Sequence, residues 1–370
     1  MERRDFLKKA GLGAAAAAAA TVVGAPKSHA AKKAEVTWKM VTTWPPKLPY
    51  LQTGVERFAD RVEELSGGRM KIRVYAAGEL VPAMGAFEAV GNGTVEAGSG
   101  AAYYWAGKSQ AAQWFSAVPF GLNAQGMSAW MWGGNGLKLW EEVYAPFNLV
   151  PRPLGNTGVQ MGGWFNKKIE TIADFNGLKM RIPGLGGKVL AKAGVAVQLT
   201  PGGEIFTNLE RGVIDATEWV GPLHDKIMGF YKVAKYYYYP GWHEPGTVLE
   251  AFFNKKAYEA LPPDLKAIID VACTETYTWM LSNHDAENAA ALMELIDKHN
   301  VTLLAFPQPV MDQLRVFAKE VLEEITAKDP IAKKVHDDFT KFQKQVGTWG
   351  TVSEKAYYDL VAGNFPLKKG

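Results

Sequence analysis

Residues 87–100 read FEAVGNGTVEAGSG, and residues 206–219 read FTNLERGVIDATEW. The two align without gaps: Phe87 on Phe206, Val90 on Leu209, Gly93 on Gly212, Val95 on Ile214, Glu96 on Asp215 and Ala97 on Ala216. Each reads as a short helix, a glycine that stops it, and a strand carrying one acid. A unit used twice points to two similar lobes. Upstream, MKIRVY (70–75) resembles LKMRIP (178–183), although the spacing to the two blocks differs by eleven residues. The copies part at their ends, where Ser99-Gly100 stand opposite Glu218-Trp219. GVIDA (212–216) reads as a buried strand that delivers this pair, with Asp215 as framework.

Around these blocks strand and helix alternate, the mark of an α/β fold. VTWKMVTTW (36–44) is strand-like and ends before Pro45-Pro46. Leu51, Val55, Phe58, Val62 and Leu65 fall on one helical face, stopped by Gly67-Gly68. In LKMRI (178–182) Leu178, Met180 and Ile182 face one way, so Lys179 and Arg181 face the other. From Pro262-Pro263 and Asp264 a single long helix is predicted to about residue 300, followed by helices near 308–327, 330–346 and 352–362. No low-complexity linker cuts the chain, which predicts domains that cross over more than once.

The chain's 370 residues suffice for two domains, and 48% hydrophobic with 21% charged residues is ordinary globular composition. MERRDFLKK at the start, a bland alanine-rich apolar run and Ser28-His29-Ala30 make a cleavable export signal. Arg3-Arg4 before Asp5, Phe6, Leu7 and Lys8 resembles a twin-arginine (Tat) signal, with cleavage after about Ala30 and the periplasm as destination. Residues 1–30 hold five Lys/Arg and two Asp/Glu, so their removal takes the formal charge from +3 to zero. The remainder is near neutral and has no long basic run, so nucleic-acid binding has no support. The one cysteine, Cys273, excludes an internal disulfide and reads as a small buried apolar residue.

Catalytic signatures fail in turn. AGKS (106–109) lacks the phosphate-loop glycine at Ala102, and AGSGA (97–101) lacks both outer glycines of a nucleophile elbow. His243-Glu244 is followed by PGTV, so no second histidine completes a zinc-protease motif. Four places instead carry polar groups against the local grain: Arg181 in its strand, Gln160 in GNTGVQMGGWF, Glu218-Trp219, and Glu244 in YYYYPGWHEPG. A strand arginine can grip a carboxylate through two parallel hydrogen bonds. Two acids at one cleft need an arginine or a cation between them, and carboxylate, amide and carbonyl oxygens suit a hard cation. The bland alternatives are a solvated edge arginine, surface acids and a tryptophan packed in a lobe core.

The order from the Tat-like signal through QMGGWFNKKI, DFNGLKMRIPG, LERGVIDATEWVGP and YYYYPGWHEPG resembles the solute-binding receptors of TRAP transporters, over about residues 35–365. The resemblance implies a periplasmic-binding-protein-like α/β fold with mixed sheets, crossover strands, a long connecting helix and extra C-terminal helices. It implies a receptor rather than an enzyme. DFNGLKMRIPG carries the family's carboxylate clamp, which falls on Arg181. EWVGP and GWHEPG are similar to the branch that takes 2-oxo or 2-hydroxy monocarboxylates, pyruvate-like or lactate-like, with a metal cation. That branch implies Gln160, Trp219 and Glu244 at both ligand and metal, Glu218 on the metal, and Tyr103 and Tyr104 as the first-lobe wall. Sodium or calcium is the implied cation. Receptors for sialic acid or C4-dicarboxylates lack the Glu-Trp pair.

On this reading residues 1–30 are the signal, and 35–157 with about 247–288 form lobe I. Lobe II takes 158–246 with about 289–328, and 329–370 are C-terminal helices. The expected partners are a small organic acid and the TRAP membrane permease. Trp349, Tyr357, Tyr358 and Phe365 in the last helices point to a homodimer. The alternatives are a receptor for another organic acid, a sensor-coupled receptor, or an exported lyase or hydrolase using Glu218 and Glu244 as an acid–base pair.

Overall fold

A computed structural model describes residues 34–361 of the chain. The expected export signal and the end of the C-terminal region, with Phe365, lie outside the described residues.

The first sheet holds β1 (Val36–Thr42), β2 (Met70–Tyr75), β3 (Ala97–Gly100), β4 (Leu149–Asn156) and β10 (Val248–Asn254), in the order β2-β1-β3-β10-β4. The second holds β5 (Gly163–Phe165), β6 (Lys179–Arg181), β7 (Ala196–Gln198), β8 (Ala216–Thr217), β9 (Tyr236–Tyr239) and β11 (Thr302–Ala305), in the order β11-β9-β5-β8-β6-β7. Both sheets are mixed, and the chain passes between them three times: from β4 to β5, from β9 to β10, and from β10 back to β11.

Five strands of each sheet correspond. β2-β1-β3-β10-β4 matches β7-β6-β8-β5-β9, and in both sets the first three strands are parallel and the next two pairings antiparallel. The helix–glycine–strand unit is therefore one structural piece used twice. Gly93 and Gly212 both take a left-handed turn, with φ of 75° and 67°. After each, two backbone amides fold back onto one helical carbonyl: Thr94 and Val95 onto Ala89, Val213 and Ile214 onto Asn208. The matched acids do the same work. Glu96 Oε2 accepts from the amide of Lys39 at 2.8 Å, and Asp215 Oδ2 accepts from that of Lys179 at 2.9 Å.

Two details differ from the sequence reading. The counterpart of LKMRI is β1, which carries Lys39-Met40, whereas MKIRVY is β2 and corresponds to β7. Each lobe runs strand–helix–strand–helix–strand, and the similar stretches MKIRVY and LKMRI are its second strand in one lobe and its first in the other. The second difference is that GVIDA is hardly a strand. Val213 is 48% exposed, and only Ala216–Thr217 pair in the sheet. The amides of residues 213 and 214 are spent closing the helix before them, so pairing starts late.

Helix α1 (Gln52–Leu65) buries Val55, Phe58 and Val62 on one face, while Leu65 at its frayed end is exposed. Helix α2 is Gly184–Lys192 and α3 is Pro222–Met228. The predicted long helix is α4 (Pro263–Asp297), 35 residues, which packs on β4 and α1 on one side and α3 on the other. It thus belongs to both halves, and Cys273 on it is buried. Helices α5 (Gln308–Lys328), α6 (Pro330–Val352) and α7 (Glu354–Val361) end the described chain. No helix among the described residues is long and apolar enough to cross a membrane.

Each sheet also hides one acid between a tryptophan and a tyrosine. Glu250 on β10 accepts from Trp105 Nε1 at 2.6 Å and Tyr144 Oη at 2.8 Å. Asp225 on α3 accepts from Trp164 Nε1 at 3.0 Å, Tyr237 Oη at 2.7 Å and the Val220 amide at 3.2 Å. Burial pushes Glu250 up to about 8 and Asp225 up to about 7, although those donors pull the other way. The folded state thus holds protons the unfolded chain releases near pH 4 to 5, so their stabilisation is lost as pH rises through the folded values. Denaturant unfolding between pH 5.5 and 8.5 should show stability falling by roughly 5 kcal/mol from these two groups together. Glu250→Gln, which keeps shape and neutrality, should flatten the slope; an unchanged slope contradicts the assignment to Glu250.

Candidate functional site

The two crossings that join β4 to β5 and β9 to β10 lie side by side. The amide of Thr157 donates to the carbonyl of Thr247, and that of Gln160 to the carbonyl of Glu244, at 3.1 Å each. This brings Gln160 on one crossing against Glu244 on the other. Gly241 makes the approach possible: a Cβ there would lie 2.0 Å from the carbonyl oxygen of Gln160. Side chains extend the link. Gln160 Nε2 donates to Thr157 Oγ1 and to Thr247 Oγ1, both at 3.2 Å, and Thr247 Oγ1 donates to Glu244 Oε2 at 2.7 Å. Tyr103, from the turn after β3, donates to the same Glu244 oxygen at 3.2 Å.

Arg181 ends β6 and Glu218 follows β8, its parallel neighbour, so the register Arg181↔Thr217 sets the two side by side. Both are 1% exposed. Arg181 Nη1 pairs with Glu218 Oε1 and also reaches the Glu218 carbonyl at 3.3 Å. The guanidinium sits 5.2 Å from the centre of the Trp219 ring. Gly202 lies under that ring, where a Cβ would come within 2.3 Å of the indole. Tyr104 packs edge-on to Tyr103, with ring centroids 5.0 Å apart. Burial raises its hydroxyl to about 12 while Arg181 draws it back.

The structure therefore brings together all seven sequence-predicted residues: Tyr103 and Tyr104 from the first sheet's side, Arg181, Glu218 and Trp219 from the second's, and Gln160 and Glu244 from the crossings. It adds three that the sequence reading missed. Thr157 and Thr247 carry the hydrogen bonds around Gln160, and nothing in their local sequence marks them. In the sequence His243 stands only in an incomplete protease motif. It is 1% exposed, and donor atoms of Glu218, His243 and Glu244 lie within 4.8 Å of one another.

Several polar atoms here are buried with no hydrogen-bond partner in the protein: Gln160 Oε1, Arg181 Nη2, Glu218 Oε2, Trp219 Nε1 and both ring nitrogens of His243. Such atoms are costly to hide, about 1–3 kcal/mol each. Several such atoms on neighbouring residues mark this as a candidate binding site. Charge leads to the same conclusion. Two carboxyls face one guanidinium. Burial pushes Glu218 up to about 7 against the pull of Arg181, and pushes Glu244 up to about 7 with the charge of Glu218 adding to it. Burial lowers His243, keeping its imidazole neutral. The donors present, two carboxyls and an amide oxygen, fit a hard cation. The start of α2 at Gly184 stands directly against Tyr103, so the two halves touch beside the site.

The chain is similar to known proteins over most of its length. Residues 40–329 match the family model described as bacterial extracellular solute-binding protein, family 7. The chain is 42% identical over 365 residues to a monocarboxylate 2-oxoacid-binding periplasmic protein of Nostoc sp. strain PCC 7120, covering 98% of this chain and all of the relative. A TRAP transporter solute-binding protein from Bordetella bronchiseptica, a mixed-occupancy dimer with calcium and picolinate in its active site, superposes with a TM-score of 0.88. It is 40% identical, and the match covers 90% of this chain and 98% of that one. A TRAP periplasmic solute-binding protein from Pseudoalteromonas atlantica with sodium and pyruvate gives 0.86 at 42% identity, over 89% and 99% of the two chains. These relatives are receptors, which sets aside the lyase or hydrolase reading.

Gly241→Ala should force the crossings apart. We expect a loss of about 2–3 kcal/mol in denaturant unfolding, whereas Gly203→Ala, where a Cβ meets open space, should cost less than about 1 kcal/mol. Equal effects would contradict the close approach as the reason for the glycine.

Proposed function

We propose that this chain, which belongs to the bacterial extracellular solute-binding proteins of family 7, is the extracytoplasmic receptor of a TRAP transporter for a small 2-oxo acid, pyruvate-like, or 2-hydroxy acid, lactate-like, bound with a metal cation. The observation that carries this reading is the buried cluster of two carboxyls and one guanidinium, in which Glu218 Oε2 and Arg181 Nη2 have no partner in the protein. Arg181 takes the ligand carboxylate, with Nη2 still free to donate while Nη1 holds Glu218. Sodium or calcium is held by Glu218, Glu244, Gln160 Oε1 and the carbonyl of Trp219, and meets a carboxylate oxygen and the 2-oxo or 2-hydroxy oxygen of the ligand. Trp219 supplies a dry flat wall, and Tyr103 and Tyr104 close the opposite side. A divalent ion plus a monocarboxylate brings the cluster to neutrality; a second ligand carboxylate would leave it negative, which favours a monocarboxylate.

On this reading lobe I comprises residues 35–157 with about 247–288, lobe II 158–246 with about 289–328, and hinge motion occurs in the crossings. Residues 1–30 direct export by the Tat route to the periplasm, where the loaded receptor delivers its cargo to the membrane permease. A second copy of the chain is the partner we assign to the C-terminal helices, where Trp349, Val352, Tyr357, Tyr358 and Leu360 are all more than 60% exposed.

Calorimetry with pyruvate tests the assignment. One pyruvate should bind per chain and be recovered unchanged, and Arg181→Met should weaken binding by roughly a hundredfold while circular dichroism is retained. Undiminished affinity in Arg181→Met, or conversion of the pyruvate, would overturn it.

A further inference from the structure

Asp225 lies outside the cluster described above, yet it holds a peptide that belongs to it. Its own carboxyl is fixed by the second sheet. Oδ2 accepts from Trp164 Nε1 on β5 at 3.0 Å and from Tyr237 Oη on β9 at 2.7 Å, and those two rings stack with centroids 4.0 Å apart. That leaves Oδ1 to accept from the Val220 amide at 3.2 Å. The peptide joining Trp219 to Val220 is trans, and a planar trans peptide sends its N–H and C=O to opposite sides. Anchoring the Val220 N–H on α3 therefore turns the Trp219 carbonyl away from α3. The neighbouring carbonyls are engaged elsewhere. That of Glu218 accepts from Arg181 Nη1 at 3.3 Å, that of Val220 from the Met161 amide at 3.1 Å, and that of Gly221 from the Asp225 amide at 2.9 Å. Among the described residues, the Trp219 carbonyl alone in the run 218–221 receives no hydrogen bond.

We propose that Asp225 is a positioning residue of the cation site: through the Val220 amide it aims the Trp219 carbonyl at the cation. This rests on the reading of the cluster as a hard-cation site with that carbonyl among its donors. A loop carbonyl has no side-chain torsion with which to adjust, so its direction is set by whatever holds its peptide plane. Here the plane is tied to β5 and β9, in the same sheet that carries Arg181 on β6. Cation donor and carboxylate clamp are thus placed from one rigid frame. Asp225 touches neither ion nor ligand, and its effect passes through a single peptide. Loss of such a supporting contact weakens a metal site by about 10–100-fold.

Trp219 is the only one of the twelve tryptophans followed by valine. Labelling with ¹³C-carbonyl tryptophan and ¹⁵N-valine therefore gives a single carbonyl-to-amide cross peak, that of this peptide. In the wild-type protein Ca²⁺ should move the Trp219 carbonyl resonance, and the Val220 amide should resist hydrogen exchange. A carbonyl resonance unmoved while Ca²⁺ binds, or a freely exchanging amide, overturns the proposal without any variant. Asp225→Leu keeps a branched side chain but accepts nothing. It should weaken Ca²⁺ binding about tenfold or more, and its carbonyl shift should stay smaller even at saturating Ca²⁺. Loss of a nearby negative charge alone would leave that saturated shift intact. Trp164→Phe takes a donor from the same carboxyl but leaves the Val220 bond, so it should lower the melting temperature and keep Ca²⁺ affinity within about threefold. Equal weakening in both variants, or a full saturated shift in Asp225→Leu, overturns the proposal. Should Ca²⁺ and pyruvate bind together in spite of either result, this inference alone fails; a wild-type protein that binds no cation overturns the cation site and this inference with it.

Discussion

Arg181, Glu218 and Glu244 share one dry space, and one positive charge there has to answer two acids. Much of the surrounding structure follows from that imbalance. A buried ion pair is tolerable only with its remaining atoms satisfied, and here Glu218 Oε2 and Arg181 Nη2 are not. Both glutamates sit well above the usual carboxylate range because burial penalises their charge. A cation lowers that penalty and at the same time makes room for an anionic ligand. Cation and acid should therefore bind as a pair rather than independently.

The fold supplies the groups from separate places by simple means. Parallel pairing of β6 with β8 puts Arg181 beside Glu218, and the two crossings lie close enough for Gln160 and Glu244 to share hydrogen bonds. The first sheet contributes only the tyrosines. The lobes use the same strand order and the same acid-to-amide bond, at Glu96 and Asp215, yet at the end of the repeat one has Ser99 and the other Glu218. Framework is shared, and charge is confined to one copy.

Much of this was legible in the sequence, for physical reasons. The repeat, the amphipathic face of α1 and the 35-residue helix α4 follow from periodicity and stop signals, which are local. Arg181, Glu218, Trp219, Gln160 and Glu244 stood out because polar side chains interrupted apolar surroundings. What was not legible is non-local. The shortness of β8 depends on amides borrowed to close the preceding helix, and the true partner of LKMRI depends on which strand is its neighbour in the sheet. Thr247 matters because it bridges Gln160 and Glu244, which no window of sequence contains. His243 fits no helical metal motif, and it meets Glu218, 25 residues away in sequence, only through the fold.

The central claim is that cation and acid bind as one unit in a site that neither can fill alone. The most direct measurement is the calorimetric affinity for Ca²⁺ in sodium-free buffer, with and without saturating pyruvate. Linkage requires the same factor in both directions. The account predicts that pyruvate tightens Ca²⁺ binding about tenfold or more; equal Ca²⁺ affinity with and without pyruvate would contradict it.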